Sequence, residues 1–428
     1  MKDYLSICSV SQSFLPYMGG LTKYVNALGR QFVKDGHEFR VVHFKTSNIG
    51  SVDFSSGIQL VRADIERLGE ETIAGYMGFK ESLLNATHTY GQVEEPEKTP
   101  GFEGYCAINL RIHEYIADIY AYKPFDILHI HDFQLLPLSG IGKELGVPTV
   151  FTWHIPFTGS MNPAWKQFIV NYMKGYDRVV LSTQEYVDAA TASGLEEKKI
   201  ALIHPFIDPV DYVLHGENDA RKKLGIAEDE FLVLCVSRMD SRKGQEVLVR
   251  AMKKVAAEVP NAKCVFVGNG SFSQELLKKE RGGMHKKLLD AVDELGLAEN
   301  VKFTGYLPDS EVNKLYAASD VVVQPSFQEG FGLTVTEGML FGKAVIGSKV
   351  GGLMVQIKEG ENGFLFTVGD SDGLAEKIIT IAFDKQIREK MGSTGREYVD
   401  YLKNEGYGRH VRMYRSLCEE HEKSCNAP

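Results

Sequence analysis

This sequence predicts an α/β protein of two doubly wound domains, on three observations. The chain has 428 residues, more than a single hydrophobic core usually serves. Short β-branched runs alternate with amphipathic segments along most of it, the pattern of parallel sheets covered by helices on both faces. That series is interrupted at Pro205-Phe206-Ile207-Asp208-Pro209 and then starts again. Two such series in one chain imply two domains. We place them at 1–205 and 206–400, with 401–428 as a C-terminal helix.

In the first domain the expected strands are Leu5–Ser11, Glu38–Phe44, Gln59–Ala63, Asp126–His131, Thr149–His154, Arg178–Ser182 and Ile200–His204. Thr22–Asp35, Ile108–Tyr122 and Pro163–Lys174 read as helices between them. The second domain offers strands at Phe231–Ser237, Lys263–Val267, Val301–Thr304, Val321–Gln324 and Ala344–Ser348. Asn85–Gly104 is polar, acidic and broken by Pro and Gly, so it reads as a long loop of the first domain. Ile387–Cys418 reads as helix, broken near Gly406 and Gly408.

The net charge is −9, and both halves are acidic. That argues against a nucleic-acid partner and against wholesale docking to anionic lipid, and leaves a local lipid-binding patch open. The densest basic run, Lys278 to Lys287, contains Gly282-Gly283 and no aromatic residue, and reads as a solvated loop. No segment approaches the roughly 20 apolar residues that span a bilayer. The N-terminus runs directly into a strand, unlike a secretory signal. The six cysteines are scattered without a CxxC pair, and Cys8, Cys235 and Cys264 sit in apolar strands as small hydrophobes. The expected compartment is therefore a reducing cytoplasm. In that setting Asn85-Ala86-Thr87 is a chance match to a glycosylation acceptor.

The densest chemical signal is Pro325-Ser326-Phe327-Gln328-Glu329-Gly330-Phe331-Gly332-Leu333-Thr334-Val335-Thr336-Glu337. A strand ends here, a glycine-broken loop follows, and a helix starts near Leu333. Glycines let backbone amides approach a ligand, and a new helix presents unpaired N–H groups with partial positive charge. Together they form an anion site suited to a diphosphate. Glu329 and Glu337 beside it would repel an anion unless they accept hydrogen bonds from neutral hydroxyls, as a sugar or ribose offers. Arg238 and Lys243, at the end of the second domain's first strand, are placed to neutralise a departing diphosphate.

These residues resemble glycosyltransferase family 4, whose members carry two glutamates at this spacing. Further family marks follow in order: Pro16-Tyr17-Met18-Gly19-Gly20-Leu21, Val236-Ser237-Arg238 through Lys243-Gly244, Val267-Gly268-Asn269-Gly270, Phe303-Thr304-Gly305-Tyr306-Leu307 and Glu361-Asn362-Gly363-Phe364-Leu365. The resemblance implies the GT-B fold, two Rossmann-like domains facing across a cleft, with the final helix crossing back onto the first domain. It also implies a retaining transfer of a hexose from a nucleoside-diphosphate sugar. Arg238, Lys243, Glu329 and His154 would be catalytic. Gly19, Gly20, Tyr306, Gly330, Phe331, Gly332, Leu333, Thr334 and Glu337 would bind the donor.

His154 follows a strand at the end where open α/β sheets bind ligands. His131 and Asp132 read as cleft-edge residues that hold structure or orient an acceptor. His129 and His131 share a strand face, but no third ligand stands at a recognisable spacing, so no metal is expected. Asp370-Ser371-Asp372 matches a metal-holding motif of the other main glycosyltransferase fold, yet here it reads as a helix cap. Two departures leave specificity open: the Asn85–Gly104 insertion, and Leu353-Met354-Val355-Gln356 where relatives often carry an acidic residue. Loose similarity to trehalose synthases points to glucose as the sugar and leaves two acceptors open on equal terms, a small sugar and a lipid or polysaccharide precursor. A sugar-nucleotide epimerase of the same fold and a non-catalytic sugar-nucleotide sensor are the competing classes. A nicotinamide-dependent oxidoreductase is disfavoured, because Gly19-Gly20 and Gly268-Asn269-Gly270 give no full dinucleotide fingerprint.

Overall fold

The computed structural model describes residues 4–15, 19–44, 56–88, 95–212, 217–268 and 281–425. The chain divides into two compact units, Met1–Pro205 with Asn404–Pro428, and Phe206–Lys403.

In the first unit, seven described strands form one sheet: β1 (Ser6–Ser11), β2 (Glu38–His43), β3 (Gln59–Arg62), β4 (Ile127–His131), β5 (Thr149–Thr152), β6 (Arg178–Leu181) and β7 (Ile200–Leu202). Their order is β3-β2-β1-β4-β5-β6-β7, and every neighbouring pair is parallel. β1, β2, β4 and β5 are buried along their whole length, as strands covered on both faces must be. The helices are α1 (Gly20–Lys34), α2 (Glu70–His88), α3 (Phe102–Tyr122), α4 (Ile141–Leu145), α5 (Pro163–Met173) and α6 (Gln184–Ala192). The Asn162 side chain caps α5 by accepting from the amides of Ala164 and Trp165, with Pro163 at the first helical position.

The second unit repeats the plan with six strands: β8 (Phe231–Val236), β9 (Ala262–Val267), β10 (Val301–Gly305), β11 (Val321–Gln324), β12 (Ala344–Ser348) and β13 (Gly363–Phe366). The order is β10-β9-β8-β11-β12-β13, again all parallel. Its helices are α7 (Glu217–Leu224), α8 (Gln245–Glu258), α9 (Arg281–Glu294), α10 (Asp309–Ala318), α11 (Leu333–Leu340), α12 (Gly351–Gln356) and α13 (Ser371–Phe383). Asp370 caps α13 by accepting from the Gly373 amide at 2.9 Å. The last helix, α14 (Lys385–Cys425), leaves the second unit after Lys403 and ends in the first.

Four expectations need correction. Asn85–Gly104 is not one loop: Asn85–His88 finish α2, Pro96–Lys98 form a 3₁₀ turn, and Phe102–Gly104 begin α3, while 89–94 lie outside the described residues. Glycines made this stretch look like loop, but they serve close helix packing. A Cβ on Gly101, which has φ 88°, would meet the Gly75 carbonyl oxygen of α2 at 2.1 Å. The final helix is continuous through Gly406 and Gly408. Two glycines cost about 2 kcal/mol of helix propensity, and packing of the following turns offsets it: His410 and Tyr414 are fully buried against the first sheet. Of the basic run, Arg281–Lys287 are helical in α9, and Lys278–Glu280 lie outside the described residues. Finally, β13 contains the quoted Gly363-Phe364-Leu365, which was not recognised as strand. Its four residues begin with a glycine, too short a run for period alone to reveal.

Candidate functional site

In both units the strand order reverses direction beside the first strand, between β1 and β4 and between β8 and β11. Ligands of open α/β sheets bind outside the strand C-termini at such switch points. The expected site residues stand at these ends.

In the first unit Gly19 follows β1, extended at φ −162°, and an added Cβ there would meet nothing within 4 Å. Gly20 opens α1. Pro16–Met18 lie outside the described residues. At the end of β4, His131 is fully buried and Asp132 is 5% exposed, so neither is an edge residue. Both side chains point at protein partners, which fits the structural use expected of them. His131 Nε2 lies 3.0 Å from Ser9 Oγ, and its Nδ1 lies 3.2 Å from His154 Nε2. Asp132 Oδ1 accepts from the His154 amide at 3.3 Å. His154 is only partly buried, two residues beyond β5.

Asp132 is the one non-glycine residue with positive φ among the described residues, at φ 71° and ψ 170°. That region is nearly reserved for glycine and costs on the order of 1–3 kcal/mol, strain typical of functional sites. Burial raises its carboxyl to about 7, against the pull of hydrogen bonds from the His154 and Phe133 amides and the Gln134 side chain. Burial likewise lowers His154 to about 3, with the nearby His410 adding to the effect. His129 shares the face of His131, ring centroids 4.0 Å apart, and is satisfied by Tyr414 and Thr152 at 2.6 Å each. Among the described residues no three His, Cys, Asp or Glu side chains cluster as a metal site.

In the second unit the loop after β11 and the loop after β8 are joined, the Phe327 amide donating to the Arg242 carbonyl at 2.8 Å. Lys243 Nζ reaches Glu329 Oε2 at 2.7 Å, and Ser326 Oγ and Gln324 Nε2 donate to the same oxygen at 3.1 and 3.3 Å. Arg238 is more open and lies 3.8 Å from Asp240. Burial would raise the Asp240 carboxyl, but hydrogen bonds and charge from Arg242, with Arg238 beyond, hold it well below the ordinary range.

Gly332, at φ 90°, turns the chain into α11 with no side-chain cap. The first-turn amides of Leu333 and Thr334 therefore point outward for an acceptor. Glu337, four residues into the helix, is 2% exposed, and it accepts from Tyr212 OH at 3.0 Å and Tyr316 OH at 2.8 Å. Gly330 and Phe331 form the loop between. Tyr306 follows β10 with its ring 59% exposed.

Sequence reasoning missed two partnerships. It gave Lys243 and Glu329 separate roles, whereas they form one ion pair. It quoted Gln356 only within Leu353–Gln356, a stretch where relatives often carry an acidic residue. Gln356 is fully buried; its Nε2 donates to the Phe331 carbonyl at 2.5 Å and its Oε1 accepts from Thr336 at 2.6 Å. An amide can donate to a carbonyl where a carboxylate cannot.

Comparison with known proteins follows the same division. The family described as Glycosyltransferase Family 4 matches residues 18–211, and Glycosyl transferases group 1 matches residues 216–398. A trehalose synthase of Thermococcus litoralis is 29% identical over 300 residues, 68% of this chain and 69% of that protein. N-acetyl-α-D-glucosaminyl L-malate synthase of Bacillus anthracis is 26% identical over 391 residues, 90% of each chain. In structure, the Anabaena HepE protein in complex with UDP and glucose superposes with a TM-score of 0.71 at 21% identity, covering 97% of this chain and 100% of its own. Paired parallel sheets, two family matches spanning both units, and the Glu329–Glu337 loop place the chain among the family 4 glycosyltransferases of the GT-B fold.

Proposed function

We propose that the chain moves a hexose, glucose in the first instance, from a nucleoside-diphosphate sugar to a hydroxyl of a small sugar, with retention at the anomeric carbon. One observation carries the reading: Lys243, Glu329 and the uncapped start of α11 share one loop system at the second switch point. Lys243, Arg238 and the Leu333 and Thr334 amides supply positive charge for a diphosphate. Glu337 serves the ribose and Glu329 the moving hexose. His154 serves the sugar, with Asp132 and His131 orienting the acceptor. Glucose and a small sugar acceptor draw support from the trehalose synthase relatives and from a fold neighbour solved with UDP and glucose.

The bond from the anomeric carbon to the phosphate oxygen breaks, and the acceptor oxygen attaches on the same face. Its proton passes to the departing phosphate. No divalent metal enters this scheme, because the charge that leaves is met by side chains and amides of the second unit.

The test is a thermal-shift screen of nucleoside-diphosphate sugars, followed by product detection over a panel of small sugars and assignment of the product anomer. A stabilising donor and an α-configured disaccharide are expected. Release of free nucleoside diphosphate from UDP-N-acetylglucosamine without any acceptor would instead mark an epimerase. An inverted product would overturn retention.

A further inference from the structure

We propose that Ser9 and His131 are positioning residues that hold His154 in a single tautomer, its proton on Nδ1, so that His154 meets substrate as a neutral hydrogen-bond donor. The proposal rests on the reading of His154 as sugar-facing, and its first test does not.

The three groups form a line: Ser9 Oγ is 3.0 Å from His131 Nε2, and His131 Nδ1 is 3.2 Å from His154 Nε2. Ser9 and His131 are fully buried. A neutral imidazole has one N–H and one lone pair, so this line can be polarised in only two ways. In one, Ser9 O–H donates to His131 Nε2, His131 Nδ1–H donates to His154 Nε2, and the proton of His154 is left on Nδ1. In the other, His154 Nε2–H donates to His131 Nδ1, and His131 Nε2–H donates to Ser9. The second arrangement leaves the Ser9 hydroxyl proton with no acceptor among the described residues, at zero exposure. An unmet buried donor costs about 1–3 kcal/mol. The first arrangement satisfies every group in the line.

The surroundings do not compete for these protons. His410 Nδ1 lies 2.7 Å from the Gly406 carbonyl, which only accepts, so the proton of neutral His410 is on Nδ1. Its Nε2 then accepts from Tyr24 OH at 2.8 Å. The phenol proton of Tyr24 is thus committed, although its ring lies against both His131 and His154. Burial, with His129, His154 and His410 nearby, keeps His131 well below the ordinary histidine range, so it stays neutral.

A neutral donor has a use here. It can hold a sugar hydroxyl oxygen without adding charge beside an anomeric carbon that turns positive as its bond breaks. An imidazolium would oppose that charge.

Imidazole ¹⁵N signals distinguish the tautomers directly. In the full chain labelled at histidine, with signals assigned through His154→Gln and His131→Gln, both residues should appear as Nδ1–H forms at neutral pH. Ser9→Ala should convert the His154 signal to a tautomer mixture and lower turnover about tenfold, with nucleotide affinity unchanged. Ser9→Thr should restore both. A wild-type His154 in the Nε2–H form, or a His154 signal indifferent to Ser9→Ala, would overturn the relay. A relay that behaves as stated while His154→Gln retains full turnover would overturn its part in the reaction, and with it the placement of His154 at the sugar.

Discussion

The two sheets share a strand order and place their candidate residues at the same switch point, yet they end in opposite chemistry. Around β4 and β5 the groups are neutral imidazoles, and one carboxyl is raised to about 7. Around β8 and β11 they are paired full charges, Lys243 with Glu329 and Asp240 with Arg242, beside an uncapped helix start. Neutral donors and acceptors suit hydroxyls. Fixed charges suit a phosphate. The same topology therefore carries two candidate half-sites of the proposed reaction, each within its own unit, and replacing single groups should affect different steps in each.

The largest effect is expected at Lys243. Its ammonium is bonded directly to Glu329. Lys243→Ala should slow transfer by about 10²-fold or more, the usual cost of losing a transition-state charge stabiliser, and should weaken nucleoside-diphosphate binding. Unchanged turnover and calorimetric affinity would remove Lys243 from the charged half-site.

The two glutamates sharpen the comparison within that half. Glu329→Gln should mainly lower turnover and Glu337→Gln mainly weaken nucleotide binding, by roughly tenfold each from a lost charged hydrogen bond. Glu337→Gln also forces Tyr212 or Tyr316 to accept rather than donate, which supports the same direction. Identical kinetic signatures would break the division of roles.

How much of this was legible beforehand depends on the range of the interaction. Strand runs and the Gly330–Gly332 corner are local patterns, and they read directly from residue type. The ion pair of Lys243 and Glu329 joins residues 86 positions apart, and the Ser9–His131 bond joins residues 122 apart. No local period encodes such pairs. α2 was missed for another reason. Gly75 and Gly78 inside it mimic loop composition, and the close packing that explains the region depends on Gly101 and Gly104 at the start of α3, where a Cβ would meet the Gly75 and Thr72 carbonyl oxygens at 2.1 and 2.6 Å. Gln356 lay between these cases, since the oddity of the Leu353–Gln356 stretch was visible and the partner of Gln356 was not.

Gln356→Glu turns that oddity into a measurement. The variant loses its donor to the Phe331 carbonyl and sets a carboxylate beside it. The loop should loosen, and nucleotide affinity should fall by about fivefold to tenfold. Equal affinity would mean that the Gln356 clamp does not shape the anion site.

The neutral half-site gives a smaller, pH-dependent effect. An unfolded aspartate titrates near 3.9, whereas folded Asp132 titrates at about 7. The folded state therefore binds more protons between those values, and stability falls as pH rises through that window, the loss being complete above about 7. Asparagine cannot ionise and tolerates positive φ as aspartate does. Asp132→Asn should change little at pH 4 and gain at pH 8. Relaxation around the carboxylate should leave about 1 kcal/mol of that gain, or roughly 2–4 °C in Tm for a domain of this size. A Tm difference independent of pH would show that Asp132 is not held protonated.

The smallest expected effect is none at all, on removing divalent metal. A metal in such a transferase would neutralise the diphosphate as it leaves. In the proposed scheme Lys243, Arg238 and the amides of Leu333 and Thr334, all in the second unit, fill that role. The two histidine and aspartate patterns that invite a metal are otherwise engaged. His129 and His131 bond to Tyr414, Thr152, Ser9 and His154, and Asp370 caps α13. Transfer rate after exhaustive EDTA treatment and metal-free dialysis should therefore match the untreated enzyme. Modest stimulation by magnesium fits faster release of the nucleotide product and leaves the scheme standing. Complete loss, restored by magnesium or manganese, would mean that the fixed cations do not suffice and that the charged half-site is built to receive an ion as well as a phosphate.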